Sequence, residues 1–144
     1  MSSEILSVKA ALEAAKKNGA ASVLKTFSDR AAKLNPKLNA FLRFDPAKIN
    51  SNSSSGSLAG VPVSIKDNIC IEGLETTCAS KILAGHLPPY NATVIEKLKN
   101  SGAALFGQCN MDEFAFGSSS ETSAFGPVKK IGRASCRERV CQYV

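Results

Sequence analysis

Lys66 is the first residue of this 144-residue chain whose type and position could do chemistry. It closes the short apolar run Val61-Pro-Val-Ser-Ile65, and open α/β sheets carry their ligand chemistry at the carboxyl ends of buried strands. A lysine held there out of water gives up its proton more easily and can act as a base. The same residues fit an exposed strand-end lysine beside Asp67, and spacing alone leaves both readings open. Ser118, Ser119 and Ser120 offer hydroxyl groups, but a nucleophilic serine needs a base and an oxyanion hole. No Gly-x-Ser-x-Gly elbow is present, and the single histidine, His86, lies in a Leu87-Pro88-Pro89 loop. A Ser-His-Asp triad therefore has no support. Asp112 and Glu113 are adjacent, and neighbours in sequence usually point apart, so they read as solvated or capping groups rather than an acid–base pair. Gly117 and the serines after it could bind an anion through backbone N–H groups. They lack the Gly-Lys-Ser/Thr ending of a phosphate loop.

Metal and nucleic-acid chemistry find less in the chain. Cys70, Cys78, Cys109, Cys136 and Cys141 form no C-x-x-C, and one histidine cannot complete a zinc site. An odd cysteine count without scaffold spacing reads as reduced thiols in a cytosol-like compartment, each behaving as a small buried hydrophobe. The formal charge of +6 would suggest an anionic partner. Most of the excess is terminal: residues 1–128 carry 13 basic and 11 acidic side chains, while Lys129, Lys130, Arg133, Arg137 and Arg139 face only Glu138. The basic residues have no interleaved aromatics, so a single-strand nucleic-acid platform is poorly supported. With 44% hydrophobic and 21% charged residues the composition is that of a globular protein. No run approaches the roughly 18 apolar residues of a membrane span. Met1 to Leu6 has neither the build of a secretory signal nor an Arg-rich transit character.

The elements that must position Lys66 follow from periodicity. Ser2 or Ser3 is expected to cap a first helix with Ile5, Val8, Leu12 and Ala15 inward, stopped at Asn18-Gly19. A second helix places Val23, Leu24, Phe27, Ala31 and Leu34 on one side and ends at Asn35-Pro36, because a residue before proline is pushed out of the α region. The two make a helical hairpin whose other face, with Lys16, Lys17, Lys25, Asp29 and Lys33, is solvated. Strands are expected at 40–44 and 61–65, separated by the Ser/Asn-rich loop 50–57. A helix over 92–100 has Val94, Ile95 and Leu98 inward, and a buried strand follows at 103–107. Residues 111–116 read as a short helical turn or irregular segment. Strand, helix and strand within 61–107 predict a βαβ crossover with a parallel pair. So few strands would leave apolar faces and an open edge without partners. The fold class is α/β, incomplete.

Three segments in order carry a resemblance. They are Leu58-Ala-Gly-Val-Pro-Val-Ser-Ile-Lys-Asp-Asn68, Thr76-Thr-Cys-Ala-Ser-Lys81, and Asn110-Met-Asp-Glu-Phe-Ala-Phe-Gly-Ser118 with Ser123-Ala-Phe-Gly-Pro127. Together they resemble the amidase signature family. The last segment is similar to that family's branch of A subunits of aspartyl/glutamyl-tRNA amidotransferases. The resemblance covers residues 1 to about 129. It implies a mixed sheet wrapped by helices, with the N-terminal helical hairpin and the first part of that sheet in this chain. It also implies a Ser–cis-Ser–Lys triad in which Lys66 is the lysine, buried and with a lowered pKa. Through the cis-serine it takes the proton of the serine that attacks an amide carbonyl. Phe116, Gly117 and Ser118 correspond to a segment near the acyl-binding pocket. No metal site is implied.

In that branch the A subunit hydrolyses glutamine through an acyl-enzyme. The ammonia passes to a B subunit, which activates the misacylated tRNA with ATP and magnesium, and a small C subunit joins the two. The resemblance thus implies B and C partners, glutamine as substrate, tRNA reached only through the B subunit, and no cofactor on this chain. A bacterial cytoplasm is the expected setting, with plastid or mitochondrion as alternatives. Both family serines are expected downstream of Pro127, where this chain instead reads Lys130-Ile-Gly-Arg-Ala-Ser-Cys-Arg-Glu-Arg-Val140. Residues 130–144 are similar to a vector- or adapter-derived tail, and Ser135 lacks the glycines and serines that would surround a family serine. A base without its nucleophile leaves no acyl-enzyme route, so the 144-residue chain alone is expected to be inactive. Two other readings stand beside this one: a stand-alone amidase-signature hydrolase of a small amide, and a small basic RNA-binding protein that depends on the tail.

Overall fold

The computed structural model describes residues 7–44 and 55–129. The Ser2 and Ser3 caps, most of the 50–57 loop and the tail 130–144 lie outside the described residues. Helix α1 spans Val8–Asn18, and its cap is Ser7, whose side chain accepts the Ala10 N–H at 3.1 Å. This satisfies one of the N–H groups a helix start leaves without a partner. Gly19, at φ 82°, ends α1 and starts α2. That left-handed conformation suits glycine, so Asn18-Gly19 is the stop that the sequence indicates.

Helix α2 spans Ala20–Leu38 and carries Pro36 inside its last turn, so it does not end at Asn35-Pro36. Three bonds outweigh the local proline rule. The Asn39 N–H donates to the Asn35 carbonyl at 2.8 Å. The Asn35 side chain accepts the Phe41 N–H at 2.8 Å and donates to the Phe41 carbonyl at 3.0 Å. Asn39, left-handed at φ 54°, then turns the chain into strand β1, Phe41–Arg43. The hairpin buries Ala11, Val23, Leu24 and Ala31. Val8 is exposed rather than inward: in the first turn it overhangs the contact, which falls on Ala11. The lysine-rich outer face is exposed as expected, with an exposed Lys25–Asp29 pair at 3.4 Å.

Strand β2, Pro62–Lys66, runs parallel to β3, Ala104–Cys109, with helix α3, Thr93–Asn100, between them in sequence. This is the expected crossover. Pro62 starts β2, where a missing N–H does least harm. Strand β1 pairs antiparallel with the other side of β3, so the sheet is mixed, in the order β1-β3-β2. A register shift between Val63 and Ser64 leaves Phe106 as the extra residue of a bulge on β3. One face of the sheet meets α2 through Phe27, Ala31, Leu38, Phe41, Phe44 and Phe106. The Phe44 and Phe106 rings lie 5.0 Å apart between centroids. The other face meets α3 through Val63, Ile65, Ile95, Leu98 and Leu105. Val94 is exposed, because Ala92, Ile95 and Leu98 already supply the inward stripe of this two-turn helix. Helices therefore cover both faces, and strongly exposed apolar side chains lie away from the sheet, Ile82 in the one-turn 3-10 helix Lys81–Leu83 and Phe116 in a loop.

Candidate active site

Lys66 is the last residue of β2, paired with Cys109 of β3, and it is exposed. Its place at a strand's carboxyl end is as expected; the burial implied by the family resemblance is not found. The sheet's edge ends at this point, and none of the described residues covers the side chain. The next residue is the reverse. Asp67 has no exposed surface, and a buried charge is tolerated only when it is paired and hydrogen-bonded. Oδ1 accepts Arg43 Nη1 at 2.9 Å. Oδ2 accepts the Thr77 hydroxyl at 2.5 Å, the Thr77 N–H at 3.2 Å and the Ala79 N–H at 3.1 Å. The Asp67 N–H donates to the Cys109 carbonyl at 3.2 Å, and its own carbonyl accepts the Cys78 N–H at 3.1 Å.

Arg43 divides its guanidinium between two carboxylates, with Nε donating to Glu75 Oε2 at 3.1 Å. Glu75 also accepts the Gly85 N–H at 2.7 Å. The Gly85 bond holds this carboxyl below its ordinary value against the opposing effect of burial, and the charge and hydrogen bond of Arg43 add to it. Gln108 donates from Nε2 to the Glu75 carbonyl at 2.8 Å, which ties this loop back to β3.

The 76–80 loop wraps the Asp67 carboxylate in a strained path. Cys78 and Ala79 have φ 51° and 54°, a region that disfavours side chains by roughly 1–2 kcal/mol per residue. Burial pushes the Cys78 thiol up, and the charge of Asp67 and the neighbouring Cys70 push it further. This loop is laced to the 110–126 segment. The Phe114 N–H donates to the Cys78 carbonyl and the Ala124 N–H to the Ala79 carbonyl, both at 2.9 Å. The Ser80 hydroxyl donates to Glu113 Oε1 at 2.6 Å.

The second segment has its own central carboxylate. Of the two readings of Asp112, solvated or capping, burial excludes the first; the residue stands at the N-cap of the turn that follows it. It accepts the Ser120 N–H and the Thr122 hydroxyl, each at 2.9 Å, and the Thr122 N–H at 3.3 Å. Burial pushes its carboxyl up, but these donors together with the Ser119 N–H outweigh burial and leave it below its ordinary value. Glu113 begins a one-turn 3-10 helix, Glu113–Ala115, as the reading of a short helical turn anticipates. Phe116, Gly117 and Ser118 form the exposed rim of this loop, and Phe116 is 83% exposed. A Cβ on Gly117 would collide with the Asp112 carboxyl group, so only glycine lets the backbone pass there. Asn110 anchors the far side: it donates to the Asn39 and Gly126 carbonyls and accepts the Ser123 hydroxyl at 2.7 Å.

The structure thus joins the loop beside Lys66 to the loop bearing Phe116–Ser118 through hydrogen bonds between their backbones. The Ser119 hydroxyl donates to Glu121 at 2.9 Å, and His86 is an exposed loop residue. Among the described residues no group of three or more His, Cys, Asp or Glu side chains could hold a metal ion. None of their helices is long and apolar enough to cross a membrane. Sequence reasoning missed Asp67, Arg43 and Asp112 as the residues that hold the site. The available signals were slight: Arg43 is the one charge in an otherwise apolar strand, and Asp67 stands one residue beyond the apolar run that ends at Ile65.

Comparison with known proteins decides the family. The model of the Amidase family matches residues 22–130. The chain belongs to the amidase family. Within the amidases it is 46% identical over 127 residues to the A subunit of the glutamyl-tRNA(Gln) amidotransferase of Gloeobacter violaceus, covering 81% of this chain and 26% of that protein. It is 61% identical over 79 residues to the protein of the same name from Lachnoclostridium phytofermentans, covering 55% and 16%. Among solved amidases, the crystal structure of the glutamyl-tRNA(Gln) amidotransferase A subunit from Thermotoga maritima superposes with a TM-score of 0.74 at 36% identity, over 87% of this chain and 27% of that one. The chain spans about a quarter of the length of these full-length relatives, except for the shorter second match.

Proposed function

We propose that this chain is the amino-terminal part of the glutamine-hydrolysing A subunit of a glutamyl-tRNA(Gln) amidotransferase. The observation that carries the reading is the identity of 46% across 127 residues to a protein of that name, in a segment that sets Lys66 at the carboxyl end of β2. In the full-length protein, Lys66 as a neutral amine accepts a proton by way of a cis-serine. The second serine attacks the side-chain carbonyl of glutamine, ammonia leaves, and water releases glutamate from the acyl-enzyme. Both serines belong to the part of the protein beyond these residues. In this reading that part also supplies the cover over Lys66. Phe116, Gly117 and Ser118 border the acyl pocket.

In this reading the ammonia is used by a B subunit, which activates Glu-tRNA(Gln) with ATP and magnesium, while a C subunit joins the two. tRNA touches this chain only through the B subunit, and the chain holds no cofactor. We place the reaction in the bacterial cytoplasm, with plastid and mitochondrion as the alternative settings. The amidase segment ends near residue 129, and residues 130–144 are foreign to it. DNA from an independent template should continue past codon 130 into a Gly/Ser-rich segment with two catalytic serines.

The test is reconstitution of the full-length protein with B and C subunits. The proposal expects ammonia release from glutamine and conversion of Glu-tRNA(Gln) to Gln-tRNA(Gln) that requires ATP and magnesium. Hydrolysis of a small amide without B or C, and none of glutamine, would identify a stand-alone amidase instead. Salt-dependent RNA binding by the 144-residue chain that is lost on deleting 130–144 would favour the RNA-binding reading. Ammonia release by the 144-residue chain alone would contradict its proposed inactivity.

A further inference from the structure

We infer that Asp67 is the positioning residue for Lys66, fixing the direction in which the lysine leaves the sheet and its register against the Phe116–Ser118 loop. This rests on the reading of Lys66 as the base.

The peptide between Lys66 and Asp67 is planar, so whatever fixes Asp67 fixes the carbonyl side of Lys66. Asp67 is fixed through its N–H on Cys109, its carbonyl under Cys78 and its carboxylate under Arg43, Thr77 and Ala79. The Lys66 carbonyl itself accepts the Ile69 N–H at 2.9 Å. On the other side, Lys66 is held by the β2–β3 ladder. The backbone of Lys66 is therefore pinned in both chain directions, and only its side-chain torsions remain to be set.

The fold alone does not require this arrangement. A fully buried carboxylate with an arginine partner is often no more stable than well-packed apolar residues of similar volume. Packing alone does not call for a charge at this point. The carboxylate instead organises Cys78 and Ala79, two successive left-handed residues without a glycine between them. Such strain persists where surrounding structure over-determines it, and it clusters at functional sites. The strained loop has two outputs. It returns to the residue next to Lys66, and through the carbonyls of Cys78 and Ala79 and the Ser80 hydroxyl it grips Phe114, Ala124 and Glu113. One carboxylate thus sets the base and the acyl-pocket loop relative to each other.

The test uses the full-length protein assembled with its B and C subunits. Asp67→Asn keeps the shape of the side chain but replaces one acceptor oxygen by an NH2, which must face either Arg43 or the Thr77 and Ala79 donors. Arg43→Lys keeps the charge but loses the planar fork. For Asp67→Asn the proposal expects kcat for glutamine hydrolysis to fall about 100-fold, the penalty of a misplaced catalytic group. KM for glutamine is expected to change little, and tRNA amidation driven by added ammonium chloride, which bypasses glutamine, is expected to remain. Arg43→Lys is expected to give the same pattern with a smaller fall, and it carries the test if Asp67→Asn does not assemble. Unchanged kcat in an assembled variant would overturn the inference. So would a joint loss of glutamine-driven and ammonium-driven amidation in both variants, which marks a structural role only. If the wild-type protein hydrolyses another amide and not glutamine, the functional reading fails separately, and the same kcat-to-KM comparison is made with that amide.

Discussion

Asp67 and Asp112 are two buried carboxylates that hold two adjoining loops by different chemistry. Asp67 is paired with a cation, Arg43, and accepts three further donors on its other oxygen. Asp112 is held by neutral donors alone, from Ser119, Ser120 and Thr122, among the described residues. Each closes a loop of left-handed residues: Cys78 and Ala79 around the first, Phe114, Ala115 and Ser120 around the second. The difference lies in reach. Arg43 brings in β1 from the far side of β3, so Asp67 ties all three strands to its loop, whereas the donors to Asp112 come from Ser119, Ser120 and Thr122, a few positions later in the same segment. Charge pairing serves the long-range connection, and neutral hydrogen bonds serve the local one.

Removing the carboxylates should expose this difference. Asp67→Ala leaves Arg43 with Glu75 as its one carboxylate partner and orphans three further donors, at roughly 1–3 kcal/mol for each unsatisfied buried group, so the full-length protein is expected to lose about 3–5 kcal/mol. Asp112→Ala leaves only neutral donors unsatisfied, for about 1–3 kcal/mol. Denaturant unfolding of both variants checks the order, and equal losses would break the comparison. Gly117→Ala is expected to cost about 1–3 kcal/mol, because the added methyl meets the Asp112 carboxyl and the loop must move. Its thermal unfolding should shift down, and Asp112→Ala should relieve part of the shift by making room. Ser80→Ala removes the bond to Glu113 at the seam between the loops and is expected to cost about 1 kcal/mol. A non-additive double mutant with Glu113→Gln would confirm that the pair couples.

The pH dependence sharpens the contrast from the side of Asp112. Its carboxyl lies below the ordinary value, so the folded state takes up this proton less readily than the unfolded chain. The resulting stabilisation is complete above about pH 4 and is lost as pH falls through the depressed folded value. Unfolding midpoints measured from pH 6 downward should therefore drop more steeply below about pH 4 in the wild type than in Asp112→Asn. Parallel curves would show that the donors do not favour the ionised form.

What could be read from the sequence was local. Lys66 at a strand end, the parallel pair on either side of α3 and the stop at Gly19 all follow from runs and spacings within a few residues. The carboxylate networks do not. Asp67 takes its partners 24 residues earlier and 10 to 12 residues later, and a single Asp after a strand looks the same whether it faces water or a guanidinium. Asp112 looks like half of an acidic pair until the chain folds back over it. Pro36 shows the same principle in reverse. A sound local rule ends the helix there, and the Asn35 side chain, bonded twice to Phe41, carries the helix on. Val8 and Val94 fit helical stripes, yet each lies at the edge of a contact filled by smaller or better-placed neighbours.

The central claim is that Lys66 is the base of a glutamine-hydrolysing site. Lys66→Ala in the full-length protein, assembled with the proposed B and C subunits, tests it most directly through paired assays with glutamine and with ammonium chloride as nitrogen source. The account predicts that glutamine hydrolysis falls by about 10²–10⁴-fold, the usual effect of losing a general base, while ammonium-driven amidation of Glu-tRNA(Gln) continues. Glutamine hydrolysis at the wild-type rate would contradict it.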